Sequence, residues 1–387
     1  MVQDCDVVVI GGGIAGASIS AYLAEFASVR LLEMEDQLGY HSTGRSAAVF
    51  AEAYGNSMVQ ALTRASRDFF YTPPAGFSST ALVRPRTVLM TAQTGQRESL
   101  DAFLDRIPPD VIEAISREEA SRLCPILRTD NLIGTLLYRS PADIEVHELH
   151  QGYLRMFKAR GGVVSAPSKV AGIERTQSLW HVATARETIR TRIVVNAAGA
   201  WAGEIGRLAG AQDIGLQPLK RTVCLLDPPP GLQSDSWPML VDIEDQFYLK
   251  PDAGMLLLSP SDETPTAPCD AQADELDIAI AVDRAERITT LQIRRITHRW
   301  AGIRSFVQDR SPVIGYDTRQ PGFFWLAALG GYGIQTAPAL SRLAASMALT
   351  MPLDEGLLSF GIDLALLLPD RLLPQPAREF KDASPSS

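Results

Sequence analysis

VVVIGGGIAG, at residues 7–16, is a run of four apolar residues followed at once by a glycine-rich turn. Three consecutive valines and an isoleucine are typical of a strand that is buried on both faces. The glycines fit the spacing G-x-G-x-x-G. In that pattern Gly11 permits the tight turn, Gly13 lets the backbone approach a pyrophosphate, and Gly16 lets the next helix pack closely on the sheet. The stretch therefore predicts the first turn of a dinucleotide-binding unit.

The residues that follow complete a strand–helix–strand pattern. An alanine-rich segment at residues 14–26 predicts a helix, and residues 29–32 predict a second buried strand that ends at Glu33. The first helical residues, Ile14 and Ala15, direct free N–H groups at the phosphates. The Glu33 carboxylate accepts hydrogen bonds from ribose hydroxyls and repels a 2′-phosphate, which disfavours NADP; Met34 beside it joins the predicted site. The alternative is a glycine-rich turn in an unrelated α/β protein.

Three later segments favour FAD over NAD as the dinucleotide. Residues 41–48 are small and hydroxylic, residues 194–201 run from a buried strand into small residues, and residues 328–336 form a glycine-rich turn before the last helix. A helix N-terminus beside the flavin ring stabilises its reduced, negatively charged edge. An NAD dehydrogenase has no need of that third loop. The predicted FAD contacts in these and neighbouring segments are His41, Ser42, Thr43, Ser46, Ala47, Ala48, Val170, Ala198, Gly199, Trp201, Gly331, Tyr332, Gly333, Ile334, Gln335 and Thr336.

The order of elements predicts two interleaved domains. Short strands separated by Pro, Gly and Asp at residues 221–260 predict an antiparallel sheet, whereas residues 323–328 and 334–349 return to a strand and a helix. A strand is also predicted at residues 82–91, a helix at 147–159 and one long helix at 272–291. We therefore expect an α/β fold: a discontinuous Rossmann-like FAD-binding domain (residues 1–80, 140–215 and 312–387) with an inserted, mainly antiparallel β-sheet substrate domain that carries helices (81–139 and 216–311). A disordered tail is expected at residues 382–387.

Composition excludes several classes of function. The formal net charge is −9 and there is no run of Lys or Arg, which disfavours nucleic acid and anionic membranes as partners. The four cysteines form no C-x-x-C pair, and the five histidines are scattered, so no metal site is expected. No apolar stretch approaches a membrane span and the N-terminus lacks a signal-peptide pattern, so a cytoplasmic protein is expected. No G-x-S-x-G motif indicates a serine hydrolase.

Six dispersed segments together resemble one family. They are residues 39–48, 150–155, 196–201, 247–256, 300–306 and 330–336. They resemble the FAD-dependent D-amino-acid oxidase and glycine oxidase family, and within it they are most similar to D-arginine dehydrogenase. The resemblance implies that arginine and tyrosine side chains hold the substrate's α-carboxylate over the flavin. The positions that correspond are Arg221, Arg304, Tyr54, Tyr248 and Tyr332.

The residue types agree with that role, because arginine matches a carboxylate with two parallel hydrogen bonds and tyrosine adds a hydroxyl donor. Arg304 falls between Trp300 and Phe306, where an unpaired charge is costly. Arg221 has the alternative of a solvated turn beside Lys220.

The segments depart from D-arginine dehydrogenase in the predicted side-chain pocket. Arg86 follows Arg84-Pro85 where the resemblance implies an acidic residue, and Val49, followed by Phe50, stands where it implies a histidine. If Arg86 faces the substrate, neutral or acidic side chains are favoured over D-Arg and D-Lys. The alternative is that Arg86 turns outward and pairs with an acid.

The expected reaction is FAD-dependent oxidation of an α-amino acid, either a D-amino acid or an N-substituted one. Hydride passes from Cα to flavin N5, and the resulting imino acid hydrolyses to a 2-oxo acid. Two alternatives stay open: a 2-hydroxy-acid dehydrogenase of the same superfamily, and a flavin-bound subunit of a larger assembly. The electron acceptor, O2 or a quinone, is also left open.

Overall fold

The computed structural model describes residues 2–107 and 110–373. Within these residues the chain forms nine α-helices. They are α1 (Ile14–Leu23), α2 (Ser57–Tyr71), α3 (Arg97–Arg106), α4 (Arg117–Leu123), α5 (Val146–Ala159), α6 (Ala202–Leu208), α7 (Glu275–Ile288), α8 (Gly333–Ala348) and α9 (Glu355–Leu358).

The same residues contain 22 strands. Those in the first part of the chain are β1 (Val2–Asp4), β2 (Val7–Ile10), β3 (Val29–Leu32), β4 (Val49–Phe50), β5 (Val83–Pro85), β6 (Val88–Gln93), β7 (Glu113–Ala114), β8 (Leu132–Tyr138), β9 (Ala142–Ile144), β10 (Val163–Ser165) and β11 (Val170–Thr176). The others are β12 (Leu179–Thr184), β13 (Thr188–Thr191), β14 (Ile193–Asn196), β15 (Gln217–Leu226), β16 (Met239–Asp242), β17 (Tyr248–Asp252), β18 (Met255–Ser259), β19 (Thr264–Pro265), β20 (His298–Phe306), β21 (Val313–Tyr316) and β22 (Phe323–Ala327).

A six-stranded sheet in the order β10-β3-β2-β14-β22-β21 carries the dinucleotide motif. Its strands are parallel except for the antiparallel pair β21–β22. All four residues of β2 are buried, as their β-branched run predicted. Helix α1 lies against α5 and α8, and the core of this layer is formed with α2. The carboxyl ends of β2, β3, β14 and β22 therefore open onto one edge.

A second sheet follows the order β19-β15-β18-β17-β16-β6-β8-β7, and β20 pairs with β15 as well. It is antiparallel apart from the parallel pair β6–β16. Helix α7 packs on β15 and β18, and α3 and α4 contact β6 and β8. The predicted fold class, a Rossmann-like FAD-binding part with a mainly antiparallel substrate sheet that carries helices, is confirmed.

Two smaller sheets complete the fold, in the orders β1-β13-β12-β11 and β4-β9-β5. The three-stranded sheet joins residues 49–50 and 142–144 to residues 83–85, on the other side of the boundary predicted at residue 80. The residue ranges of the two domains stay a prediction.

Some predicted elements differ from the structure. The single strand at 82–91 is two strands, β5 and β6, because the chain turns after Pro85 and the Arg86 N–H donates to the Pro141 carbonyl. The long helix predicted at 272–291 is shorter, since Asp274 precedes its first turn and Thr289 leaves the helical region. The predicted tail at 382–387 lies outside the described residues.

We predict that Gly16→Ala destabilises the protein by about 1–3 kcal/mol, because the added methyl overpacks the contact between α1 and the turn that follows β2. A Cβ at Gly16 would lie 1.8 Å from the Gly11 carbonyl oxygen. Urea unfolding of the variant measures the loss.

The matched control for this substitution is Gly203→Ala in α6, where an added Cβ meets none of the described atoms within 4 Å. There the helical propensity of alanine predicts a gain of up to about 1 kcal/mol. Equal stabilities of the two variants would contradict the contact argument.

Candidate active site

One cavity runs from the carboxyl edge of the six-stranded sheet to the second sheet. Most of the predicted FAD contacts line it. They are Gly11, Gly13, Ile14, Ala15, Glu33, Met34, His41, Ser42, Thr43, Ser46, Ala47, Val170, Ala198, Gly199, Trp201, Gly331, Gly333 and Ile334. The far end is lined by Arg221, Tyr248 and Arg304, so the two groups of predicted residues share one space.

Five predicted FAD residues do not line this cavity, and each has a contact within the protein; for Gly16 this is the close packing that its place in the motif predicted. Gly16 provides the close packing of α1 on the turn. The Ala48 carbonyl accepts from the Ile144 N–H, and the Gln335 Oε1 accepts from the Ala51 N–H at 3.1 Å. The Thr336 hydroxyl donates to the Tyr332 carbonyl within α8, and the Tyr332 ring packs on Phe306. These contacts are with protein atoms next to the segments that line the cavity.

Glu33 is held rigidly at the end of β3. Its side chain is 8% exposed, and its carboxylate accepts hydrogen bonds from the Gly12 N–H at 2.7 Å and the Glu35 N–H at 2.9 Å. The carboxylate therefore faces the cavity beside the glycine turn, where the ribose of a dinucleotide is expected. A side chain at Gly12 would meet the Glu33 Oε2 at 2.9 Å, so the turn must be glycine to admit this carboxylate.

His150, on α5, fixes the glycine turn through a hydrogen bond, a role that the sequence did not suggest. Its Nε2 donates to the Gly12 carbonyl oxygen at 2.9 Å, and the side chain is buried in α5. Burial lowers the pKa of His150, so the ring is neutral at neutral pH with its proton on Nε2. The only sequence signal was its place on the apolar face of α5 with Tyr153 and Leu154. That face predicts burial but not the partner.

The segment at residues 39–48 connects the two sheets. The Thr43 hydroxyl accepts from the Ile14 N–H at 2.9 Å, at the start of α1, while the Ser42 hydroxyl donates to the Ile303 carbonyl of β20 at 2.6 Å. Arg45 donates to the carbonyls of Ala271 and Ala301 at 3.0 Å each. The sequence did not single out Arg45, because both acceptors are backbone atoms more than 220 residues away.

His41 occupies the same segment on the cavity side. Its ring lies 4.6 Å from that of Trp201, and its Nε2 is 2.9 Å from the Glu35 carboxylate. The two predicted residues thus form one wall.

Arg221 and Arg304 project from the same face of the paired strands β15 and β20. Arg221 is opposite Gly302, and Arg304 is opposite Leu219, so the two arginines are diagonal neighbours. Diagonal positions place the two residues about 7–8 Å apart, with their Cβ atoms somewhat closer. Both guanidinium groups therefore reach the same end of the cavity.

Arg304 has no ion-pair partner among the described residues. A Cβ at Gly331 would lie 2.7 Å from its Nη1, so the glycine loop before α8 leaves room for the guanidinium. Desolvation opposes its charge, yet Tyr54, Tyr248 and Asp245 raise the pKa of Arg304 above its usual value. The group is a cation with free donors beside the loop where the flavin ring is expected.

Arg221 is 4% exposed, so the alternative of a solvated turn does not hold. Its Nε donates to the Asp262 carbonyl at 2.9 Å and its Nη2 to the Glu263 carboxylate at 3.3 Å. Unlike Arg304, this cation is neutralised within the protein.

Three tyrosines predicted for the site take different positions. Tyr248 is buried on β17 and lines the cavity. Tyr54 is 40% exposed, and its ring meets that of Tyr332 edge-on at 64° with centroids 5.2 Å apart; neither lines the cavity. Desolvation raises the pKa of Tyr54 to about 12, although the nearby Arg304 opposes the rise. Its hydroxyl is therefore protonated at neutral pH, and it lies near Arg304 but outside the cavity lining.

Asp245 is a further charged residue near this end, and the sequence gave no sign of it. Desolvation raises the pKa of its carboxyl, and the cations Arg221 and Arg304 oppose the rise. Its backbone has a φ of 53°, a left-handed conformation that is uncommon for a non-glycine residue.

The predicted side-chain pocket of Arg86, Val49 and Phe50 is corrected by the structure. The Arg86 Nε donates to the Asp143 carboxylate at 2.8 Å, and its Nη1 donates to two backbone carbonyls at 2.8 Å each. Phe50 packs on Phe70, and Val49 is half-buried; none of the three lines the cavity. The turn after Pro85 directs Arg86 towards β9, so the alternative in which it pairs with an acid describes it. The preference for acidic substrates inferred from Arg86 loses its basis.

No group of three or more His, Cys, Asp or Glu side chains in the described part of the chain is arranged to hold a metal ion. Over residues 2–107 and 110–373, each helix is too short or too polar to cross a bilayer.

Comparison with known proteins identifies the family. A family model described as FAD dependent oxidoreductase matches residues 6–347. Mitochondrial dimethylglycine dehydrogenase from Rattus norvegicus is 24% identical over 271 residues, which are 66% of this chain and 30% of that protein. The chain spans about a third of the length of several curated relatives that it matches.

Two solved structures are similar over nearly the whole chain. Glycine oxidase from Geobacillus kaustophilus has a TM-score of 0.78 with 20% identity, over 91% of this chain and 96% of that one. L-α-glycerophosphate oxidase from Mycoplasma pneumoniae, solved with FAD bound, has a TM-score of 0.79 with 18% identity, over 89% and 95%. At these identities the likeness concerns the fold. These similarities do not show the finer resemblance to D-arginine dehydrogenase.

We predict that His150→Leu weakens FAD binding by about tenfold or more. The substitution removes the donor to the buried Gly12 carbonyl, which costs about 1–3 kcal/mol, and about 1.4 kcal/mol corresponds to tenfold in affinity. Titrating the apoprotein with FAD and following the quenching of flavin fluorescence measures the dissociation constant.

His147→Leu is the matched control, because His147 is exposed one turn earlier on the same helix. If both variants bind FAD as tightly as the wild type, His150 does not hold the turn.

Proposed function

This chain belongs to the FAD dependent oxidoreductase family, and from that premise we propose that it oxidises an α-amino acid, either a D-amino acid or an N-substituted one. The observation that carries the proposal is Arg304, a cation that lines the cavity without an ion pair among the described residues. Arg304 is partly buried, and a cation withdrawn from water without a partner is costly unless a ligand supplies the counter-charge. A substrate carboxylate fits that requirement.

The cavity fits FAD at its other end. Glu33 presents a carboxylate for the ribose, the turn at Gly11–Ala15 leaves room for the pyrophosphate, and the loop before α8 is open because Gly331 lacks a side chain. When bound, FAD supplies the hydride acceptor, with transfer from the substrate's Cα to flavin N5.

The protein's own residues bind and orient the substrate. Arg304 holds the α-carboxylate with paired hydrogen bonds, and the Tyr248 hydroxyl, on the neighbouring wall, supplies a further donor. If the amine binds in its neutral form, no strong base is required, and positioning lowers the barrier by itself. The imino acid that forms hydrolyses in water to a 2-oxo acid and an amine. The names of the similar proteins, which concern glycine and dimethylglycine, support an amine donor of small size.

A second candidate is oxidation of a 2-hydroxy acid. It is favoured by the fact that Arg304 recognises the carboxylate and not the donor atom, and by the similar fold of an oxidase named for a glycerophosphate. A flavin-bound subunit of a larger assembly is the third reading, and the net charge of −9 disfavours RNA as its partner.

We predict that amino acids bleach the flavin of the anaerobic holoenzyme. The panel comprises D- and L-amino acids, N-alkylated amino acids, opines and 2-hydroxy acids, and the loss of the oxidised flavin absorbance is followed. Bleaching by hydroxy acids alone would replace this proposal with the second candidate. Bleaching by none would favour the binding subunit.

Arg304→Ala is expected to raise KM for the best substrate by at least about tenfold, because hydrogen bonds between charged groups contribute about 1.5–3 kcal/mol. The FAD content is expected to stay near that of the wild type. Steady-state kinetics and the flavin absorbance per protein give both values.

The matched control is Arg299→Ala on the same strand, since the Arg299 side chain is half exposed and pairs with Glu275. Unchanged kinetics in the Arg304 variant would show that the carboxylate binds elsewhere.

A further inference from the structure

We propose that Glu263 restricts this enzyme to substrates with a single carboxylate by neutralising Arg221. The inference rests on the proposed function, in which Arg304 binds the α-carboxylate. It adds a specificity determinant outside the residues that hold that carboxylate.

The cavity end has two arginines on one strand face, which is a suitable arrangement for two carboxylates. Arg221 and Arg304 are diagonal neighbours on β15 and β20 and both line the cavity. With both cations free, a dicarboxylic amino acid would satisfy one with each end. Only Arg304 is free, however, because Arg221 is paired with Glu263.

Glu263 is held in that position by a second arginine. Arg310 donates to it twice, from Nη1 to Oε2 at 3.0 Å and from Nη2 to Oε1 at 2.7 Å. The Arg310 guanidinium is itself fixed over the Phe306 ring, 3.8 Å from the centroid. Glu263 Oε1 thus accepts hydrogen bonds from Arg310 and, at 3.3 Å, from the Nη2 of Arg221. The carboxylate cannot follow Arg221 towards a ligand without losing a bidentate pair.

The backbone around Glu263 is also fixed to β15. The Asp262 carboxylate accepts from the Thr222 N–H at 2.6 Å and from the Thr222 hydroxyl at 3.1 Å, and its carbonyl accepts from the Arg221 Nε. On the other side, Thr264 pairs with Lys220 through β19. The loop therefore holds Glu263 beside Arg221.

Glu263 is ionised at neutral pH, although desolvation opposes its charge. Arg310, Arg221 and Arg304 hold the pKa of its carboxyl below the usual value. Arg221 and Arg304 line this end of the cavity, while Glu263, which pairs with Arg221, and Asp245, which is near both arginines, lie outside its lining. A first substrate carboxylate pairs with Arg304, whereas a second meets a site that is already neutral and has an acid at its edge.

The test compares D-glutamate with D-glutamine, which differ by one charge at nearly equal shape. In the wild-type holoenzyme we expect kcat/KM for D-glutamate to be at least about tenfold below that for D-glutamine, which corresponds to about 1.4 kcal/mol. Glu263→Gln is expected to raise the D-glutamate to D-glutamine ratio by about tenfold. Arg310→Gln leaves Arg221 as the ion-pair partner of Glu263, so this variant is not expected to raise the D-glutamate to D-glutamine ratio.

Two further variants make the result specific. In the double variant Arg221→Gln/Glu263→Gln the gain is expected to disappear, since it depends on the released charge of Arg221. Glu174→Gln is the matched control, because Glu174 is exposed on β11, which belongs to a different sheet from the strands that carry Arg221 and Arg304. An unchanged ratio in Glu263→Gln, or the same rise in the control or the double variant, would overturn the proposal.

Ligand binding separates this proposal from the proposed function and needs no variant to fold. Glutarate and its monoamide, glutaramate, are titrated into wild-type holoenzyme and the flavin absorbance change is followed. We expect glutaramate to bind at least about tenfold more tightly, and equal affinities would overturn the role of Glu263. If no amino acid bleaches the flavin, the proposed function fails, while this comparison of two non-reacting acids still tests the charge selection.

Discussion

The parallel pairing of β2 with β3 and β14 is the constraint on which the rest of the molecule depends. Parallel strands end at the same edge of a sheet, so the turn after Ile10, the carboxylate of Glu33 and the loop after Asn196 are brought together by backbone hydrogen bonds alone. The pairing of β14 with β22 adds the glycine loop at residues 328–333 to the same edge. Four loops distant in sequence thus surround one cavity before any side chain contributes.

The second requirement is that the substrate sheet keeps a fixed position relative to that edge. The segment at residues 39–48 meets it with contacts in both directions. Thr43 binds the start of α1, and Ser42 and Arg45 bind carbonyls of the strand that carries Arg304 or of residues beside it. The indole N–H of Trp300 returns a bond to the Arg45 carbonyl at 3.1 Å. Arg304 is on the same strand as Ile303 and Ala301. These hydrogen bonds therefore set its distance from the glycine loop at residues 328–333.

How far the sequence could predict this site depended on the range of the interactions. Gly11, Gly16 and Glu33 act within one strand–helix–strand unit of about 30 residues, so spacing alone located them. Arg304 was indicated by the family resemblance, and its place between Trp300 and Phe306, where an unpaired charge is costly, agreed with it. Arg86 was misplaced because its acceptors, Asp143 and two carbonyls beyond residue 234, are 57 to 151 residues away. No local pattern reports such a contact, and the break between β5 and β6 decides which way the side chain points. The role of His150 was not predicted for the same reason, since its partner Gly12 is 138 residues away.

The distribution of charge in the interior gives the reason for treating Arg304 as the ligand-binding cation. Lys220 pairs with Asp274 and Asp277, Lys250 and Arg86 share Asp143, and Arg221 pairs with Glu263. Each of these cations has a carboxylate within the described residues, as buried charges generally require. Arg304 differs from them although it is on the same sheet: it lines the cavity and forms no ion pair among the described residues, and Asp245 acts on it only as a nearby charge. The fold neutralises these other interior cations but leaves Arg304 without an ion pair among the described residues. Arg304 can therefore bind a negative charge that comes from outside the chain. The carboxylate of a substrate beside the flavin is the group that we propose for this position.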